Sequence, residues 1–140
     1  MAELKARYLV DKSALARLHL PAVDQRLAPI LDRGEAATCA IIELEILYSA
    51  RSLADYEAIR QRRRLGYPWL PITEVTWERA LGTQHELARS GRHRVPIPDL
   101  LVAACAAEAG LTVLHYDKDF DLIAEVTGQH CEWVVPRGSV

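Results

Sequence analysis

A three-layer α/β/α sandwich around a mainly parallel sheet is the fold this sequence predicts. Three observations point to it: short apolar runs that end on an acid, amphipathic helical stretches between them, and glycine or proline at the joints. The order reads strand, helices, strand, helices, strand, helix, strand, the alternation that builds parallel sheets. At 140 residues the chain has the size of one domain, so residues 1–140 are expected to form a single unit.

The run Arg7 to Asp11 reads as a buried strand ending on an acid, followed by a helical stretch from Ser13 to His19 with Ser13 placed to cap it. Pro21 is expected to break the chain. Val23 to Arg33 then repeats apolar residues on one helical face until Gly34. A short strand over Ala36 to Ala40 leads into a helix from Ile41 to Ala50. Leu53 to Leu65 predicts an exposed amphipathic helix closed by Gly66 and Pro68, and Trp69 to Ile72 a strand beside Pro71. Thr73 to Ser90 is a longer helix stopped by Gly91, with Thr73 and Glu74 or Thr76 near its start.

After a basic, proline-containing loop from Arg92 to Pro98, Asp99 is expected to cap the most apolar helix of the chain, Leu100 to Ala109, which Gly110 ends. Thr112 to Tyr116 is a strand followed by another acid, Asp117. Asp119 to Thr127 forms a helix closed by Gly128, and Glu132 to Val135 a last strand before Pro136.

Composition narrows the function classes. Half the residues are hydrophobic and 26% are charged, the balance of a soluble globular protein. No stretch approaches the roughly 20 apolar residues of a membrane span, and the first residues lack the apolar core of a signal peptide, so a cytoplasmic protein is expected. Cys39, Cys105 and Cys131 are odd in number and far apart, which fits small buried apolar residues better than disulfides or zinc ligands. The histidines have no metal-ligand spacing, and Trp69, Trp77 and Trp133 are too dispersed for a base-stacking platform. A net charge of −2 argues against gripping nucleic acid by overall basicity. Two local basic clusters remain, Arg60 to Arg64 and Arg89 to Arg94.

The acids carry the chemistry. Asp11 and Asp117 each follow a strand, so a parallel sheet delivers both to the carboxyl edge where ligands bind. Asp99 sits at a helix mouth. Glu43 and Glu45 share one helix but are about 200° apart around its axis, so only one can face a common pocket and the other is expected at the surface. Glu45 lies nearer the apolar direction set by Ile41, Ile42 and Tyr48, and a carboxylate aimed at a core is costly unless neutralised. Glu45 is therefore favoured over Glu43. At about 5 Å and an effective dielectric near 20, each pair of such carboxylates repels by on the order of 3 kcal/mol. Cations are the natural remedy, and hard oxygen ligands suit Mg2+ or Mn2+. Such ions activate water against a phosphodiester, which points to hydrolysis of a nucleic-acid backbone.

Four stretches in order then resemble a PIN domain of the VapC type, the toxin of a bacterial toxin and antitoxin pair: Leu9 to Leu15 (LVDKSAL), Leu44 to Ala50 (LEILYSA), Ile97 to Ala104 (IPDLLVAA) and His115 to Phe120 (HYDKDF). The resemblance spans essentially the whole chain and implies a PIN-like sandwich. It further implies that Asp11, Glu45, Asp99 and Asp117 bind Mg2+ or Mn2+ and cleave single-stranded RNA. Glu45 stands where the family's glutamate does, four residues before a small residue, here Ser49. Asp119 is a candidate supporting acid, reaching the metal directly or through water, with Asp117, which follows the strand directly, the better ligand. Ser13 resembles the family's hydroxyl beside the first acid, where it bonds a carboxylate or the scissile phosphate, or caps the helix.

The same resemblance implies a cognate antitoxin that occupies a groove lined by the Leu53 to Leu65 helix, and a homodimer. Arg92 and Arg94 adjoin Asp99 in sequence and are the candidates for RNA phosphate contacts. Other classes fit less well. An aspartyl-phosphate phosphatase wants a second acid two residues after the first, where Ser13 stands, and a phosphate-accepting receiver wants paired acids after its first strand. A non-catalytic PIN-like scaffold that binds a protein partner would be favoured by the loss of one of the four acids, and all four are present.

Overall fold

The computed structural model describes residues 5–140. Four strands form one sheet in the order β2-β1-β3-β4, with β1 at Tyr8–Val10, β2 at Ala36–Ala37, β3 at Thr112–His115 and β4 at Cys131–Trp133. Every pairing is parallel, with Leu9 opposite both Ala37 and Val113 and Leu114 opposite Glu132. The parallel sheet expected from the alternation of strands and helices is thus present.

Among the described residues seven helices cover it: α1 (Lys12–Leu15), α2 (Pro21–Asp32), α3 (Ala40–Tyr48), α4 (Leu53–Gly66), α5 (Glu74–Ala88), α6 (Ile97–Ala109) and α7 (Asp119–Thr127). Strand side chains alternate between two cores. Leu9, Ala37 and Val113 pack with Ile42, Leu101, Phe120 and Ile123 on one face. Val10, Ala36 and Leu114 pack with Val23, Leu27 and Ile30 of α2 on the other. Both faces of a parallel sheet are buried in this way, and the result is the three-layer α/β/α sandwich.

Several expected boundaries move, each for a physical reason. Pro21 opens α2 at its first turn instead of breaking the chain, because a first-turn residue has no helical partner for its N–H anyway. For the same reason α6 starts at Ile97, with Pro98 in its first turn and Pro96 as the N-cap residue. Asp99 is therefore inside the first turn and not the cap. Ser13 does not cap α1 either: Asp11 does, its side chain accepting from the Ser13 backbone N–H. The strand expected over Trp69 to Ile72 reduces to a single parallel bridge between Thr38 and Trp69, since Pro68 and Pro71 remove ladder donors on either side. Thr73 and Thr76 form the capping box of α5.

Cys39 and Cys105 are buried as expected, whereas Cys131 is only partly so. Among the described residues no helix is long and apolar enough to cross a membrane.

Candidate metal centre at the carboxyl edge of the sheet

The site begins with Asp11, the residue after β1, which is 3% exposed. Its Oδ2 accepts from the Ser13 backbone N–H at 3.0 Å and from Ser13 Oγ at 2.6 Å. The Ser13 hydroxyl in turn accepts from the Tyr116 backbone N–H at 2.9 Å. One serine therefore ties the end of β1 to the end of β3 and fixes the rotamer of Asp11. Its proton is committed to a carboxylate, the first of the roles the resemblance left open.

Asp117 follows β3 by two residues. Its backbone N–H donates to His115 Nδ1 at 3.1 Å, and its Oδ1 accepts from the Asp119 backbone N–H at 3.0 Å. His115 is fully buried between Phe120 and Trp133, and burial holds its imidazole down at about 4. The ring is neutral at physiological pH, which frees Nδ1 to accept and orient the turn that carries Asp117.

Asp99, 6% exposed, enters from the first turn of α6, where the helix dipole favours an acid. One carboxylate oxygen each of Asp99, Asp117 and Asp119 lie within 4.8 Å of one another, a spacing that a single divalent ion can serve directly or through its own waters. Asp11 and Glu45 stand outside this group of three and are coupled to it through their charges.

The electrostatics are those of crowded, partly buried acids. Burial, then the charges of Asp117 and Asp11, push Asp99 up to about 8. Burial also raises Asp11, with Asp117 adding to it. Glu45 is raised by burial and then by Asp11, partly offset by Lys12, and Asp119 by burial and then by Asp117. Asp11 Oδ1, Glu45 Oε1 and Asp99 Oδ2 are buried without a hydrogen-bond partner among the described residues. Buried oxygens without a partner are rare in folded proteins.

Of the two glutamates of α3, Glu43 departs from the expectation of a surface residue. Glu43 is not at the surface: it is 5% exposed and bonds Arg63 at 2.7 and 2.9 Å. Its charge is neutralised from α4, twenty residues further along the chain. Glu45 is the half-buried one, and the charges of Asp11 and Asp117 help to raise its carboxyl.

The basic loop is less available than its sequence suggests. Arg92 Nη1 donates to Glu125 Oε2 at 3.2 Å, which ties it to α7, while Arg94 is exposed. Trp69 and Trp77 are about half exposed, and Trp133 packs tilted against His115 and edge-on against Tyr116. The missed members of the site are His115 and Tyr116, whose roles run through a ring nitrogen and a backbone N–H and leave no mark in a search for acids.

Against known families, the PIN domain model matches residues 8–126. The chain belongs to the PIN domain family. This PIN domain is 45% identical over 137 residues to Ribonuclease VapC21 of Mycobacterium tuberculosis, covering 97% of this chain and 99% of that protein. It is 42% identical to Ribonuclease VapC51 of the same organism over 134 residues, covering 96% and 97%. A crystal structure of DNA-bound VapBC from Salmonella typhimurium matches with a TM-score of 0.74 and 19% identity, over 93% of this chain and 99% of that one. At that identity the likeness concerns the fold alone, and the fold it supports is the PIN sandwich.

Proposed function

We propose that this PIN domain works as a single unit and as a metal-dependent endoribonuclease, hydrolysing single-stranded RNA with Mg2+ or Mn2+ as cofactor. In this reading it is the cytoplasmic toxin of a toxin and antitoxin pair and is held inactive by a cognate antitoxin. The observation that carries the reading is the set of five carboxylates at one sheet edge, three of which keep a buried oxygen without a partner. No lysine or arginine forms an ion pair with Asp11, Glu45, Asp99, Asp117 or Asp119 among the described residues. Near relatives that are named ribonucleases support the same reading.

In this proposal Asp11, Glu45, Asp99 and Asp117 hold the cations and Asp119 supports them. When bound, Mg2+ or Mn2+ supplies an activated water and offsets the charge that builds on the phosphodiester. Ser13 keeps Asp11 in one rotamer, and His115 holds the Asp117 turn. Arg94 is left to meet RNA phosphates beyond the site, with Arg92 available once it leaves Glu125. A cavity of about 640 Å3 is walled by Leu15, Leu18, Leu31 and Ile46 and by Ile59 and Arg62 of α4, and this is the seat proposed for the antitoxin. The homodimer has exposed apolar side chains on which to form, among them Tyr48, Trp77, Leu81 and Ile97.

Purified protein is expected to cleave a fluorophore-labelled single-stranded RNA in Mg2+ or Mn2+ and to stop in EDTA. Undiminished cleavage in chelator would sink the metal mechanism. The glutamates separate in the same assay. Glu45→Gln is expected to abolish cleavage, while Glu43→Gln leaves it detectable, and the reverse outcome would transfer the ligand role to Glu43.

A further inference from the structure

Glu43 and Glu45 project to opposite sides of α3, and their carboxylates meet opposite fates. Glu43 is fully engaged. Its Oε1 accepts from Arg63 Nε at 2.7 Å, and its Oε2 accepts from Arg63 Nη2 at 2.9 Å and from Thr38 Oγ1 at 2.5 Å. The Arg63 guanidinium also lies 4.3 Å from the centre of the Tyr67 ring. Glu45 by contrast keeps Oε1 without a partner, and the charges of Asp11 and Asp117 help to raise its carboxyl.

These two fates are coupled through the helix. The like charges of Asp11 and Asp117 push Glu45 away, and α3 is a helix of nine residues that must resist being rolled. Besides Glu43 its buried residues are Ile42 and Leu47, and apolar contact is non-directional. A bidentate arginine and carboxylate pair is directional, because the two planar groups must align. Arg63 is itself fixed by stacking on Tyr67. Since α4 buries no residue of its own, this pair is also the tie that docks α4 beside α3.

We propose that the Glu43–Arg63 pair is a positioning device that fixes the roll of α3 and thereby aims Glu45 at the acidic cluster. The inference rests on the reading of that cluster as a metal site. Neither residue touches the reacting atoms. Both act through Glu45, as outer groups that orient a ligand commonly do.

The test separates this role from a purely structural one. A buried ion pair can be replaced by apolar side chains of similar volume without loss of the fold, so the double variant Glu43→Leu/Arg63→Met removes the orienting geometry and leaves no bare charge. Mn2+ binding by the full chain is followed by electron paramagnetic resonance of the free ion, with the melting temperature measured alongside. The double variant is expected to melt near the wild type and to bind Mn2+ about tenfold more weakly. Arg60→Met, on the same helix and exposed, is expected to leave binding unchanged. A folded double variant that binds Mn2+ as tightly as the wild type overturns the proposal. Should the double variant fail to fold, Arg63→Lys keeps the charge but not the fork, and unweakened Mn2+ binding there overturns the proposal equally. A wild type that binds no Mn2+ defeats the metal reading itself, an outcome distinct from wild-type binding that the variants leave unaltered.

Discussion

Asp99→Asn is expected to lower RNA cleavage by roughly a thousandfold or more while raising the melting temperature of the metal-free protein at pH 8. The two effects have one cause. Asp99 is 6% exposed, and burial with the neighbouring charges of Asp117 and Asp11 raises its carboxyl to about 8. At pH 8 a large fraction of molecules therefore carry a buried charge on Asp99, beside Asp11 and Asp117, with which no lysine or arginine forms an ion pair among the described residues. The amide has the same shape, carries no charge and can donate to Asp117, so repulsion becomes a hydrogen bond. Most buried substitutions destabilise by about 1 kcal/mol, and a change of opposite sign marks a position kept for function at the expense of stability. Cleavage is lost because the neutral oxygen is a poor partner for a hard divalent cation. Near-normal cleavage by this variant would remove Asp99 from the proposed mechanism. A lowered melting temperature would show that the buried carboxylate is stabilised by contacts other than a metal.

How much of this was legible in the chain depends on whether a residue's environment is local. Asp11 and Asp117 were readable because an apolar strand that stops on an acid announces both its burial and its end. The sheet and the order of helices followed from the same alternation, and α7 lies where its sequence placed it. Asp99 lies in the acid cluster but was misjudged as a cap, since Pro96 and Pro98 read as loop. The signal that corrects this is the tolerance of proline in a first helical turn, and it applies to Pro21 as well.

The α3 glutamates show where local reasoning stops. A helical wheel weighs only the residues of one helix, so it rated Glu43 as the surface residue because Glu45 lies nearer the apolar direction of α3. The neutralising group is Arg63, brought across by the turn between α3 and α4, and no window on α3 contains it. Ser13 is a similar case. Its proximity to Asp11 was visible in the sequence, but its second bond, from the Tyr116 backbone N–H, spans 103 residues and depends on β1 and β3 being neighbours. Arg92 looked free for phosphate until the fold placed Glu125 beside it.

The stability of the metal-free protein should fall as pH rises from about 5.5 to 8, and Mn2+ should restore it most at the alkaline end. A carboxyl whose folded value is raised above the unfolded value of about 3.9 binds its proton more tightly in the folded state. Its contribution to stability is complete below the unfolded value and is lost as pH climbs through the folded one. Asp99, raised to about 8, sets this window, and Asp11, Glu45 and Asp119 are shifted in the same direction. One proton held only by the folded state changes stability by roughly 1.4 kcal/mol per pH unit. Over two units that corresponds to a fall in melting temperature on the order of 5 to 10 °C for a domain of this size. Metal binding reverses the slope, because the ion binds deprotonated carboxylates in the folded state and competes with the proton. At a concentration a hundred times its dissociation constant it stabilises by about 2.7 kcal/mol, and that gain should shrink toward pH 5.5 as protons occupy the same oxygens. Thermal melts in EDTA and in Mn2+ at several pH values give both curves. A metal-free melting temperature that rises across this range, or a Mn2+ effect of equal size at pH 5.5 and pH 8, would mean that the buried acids of this PIN domain are neutralised by something other than protons and divalent ions.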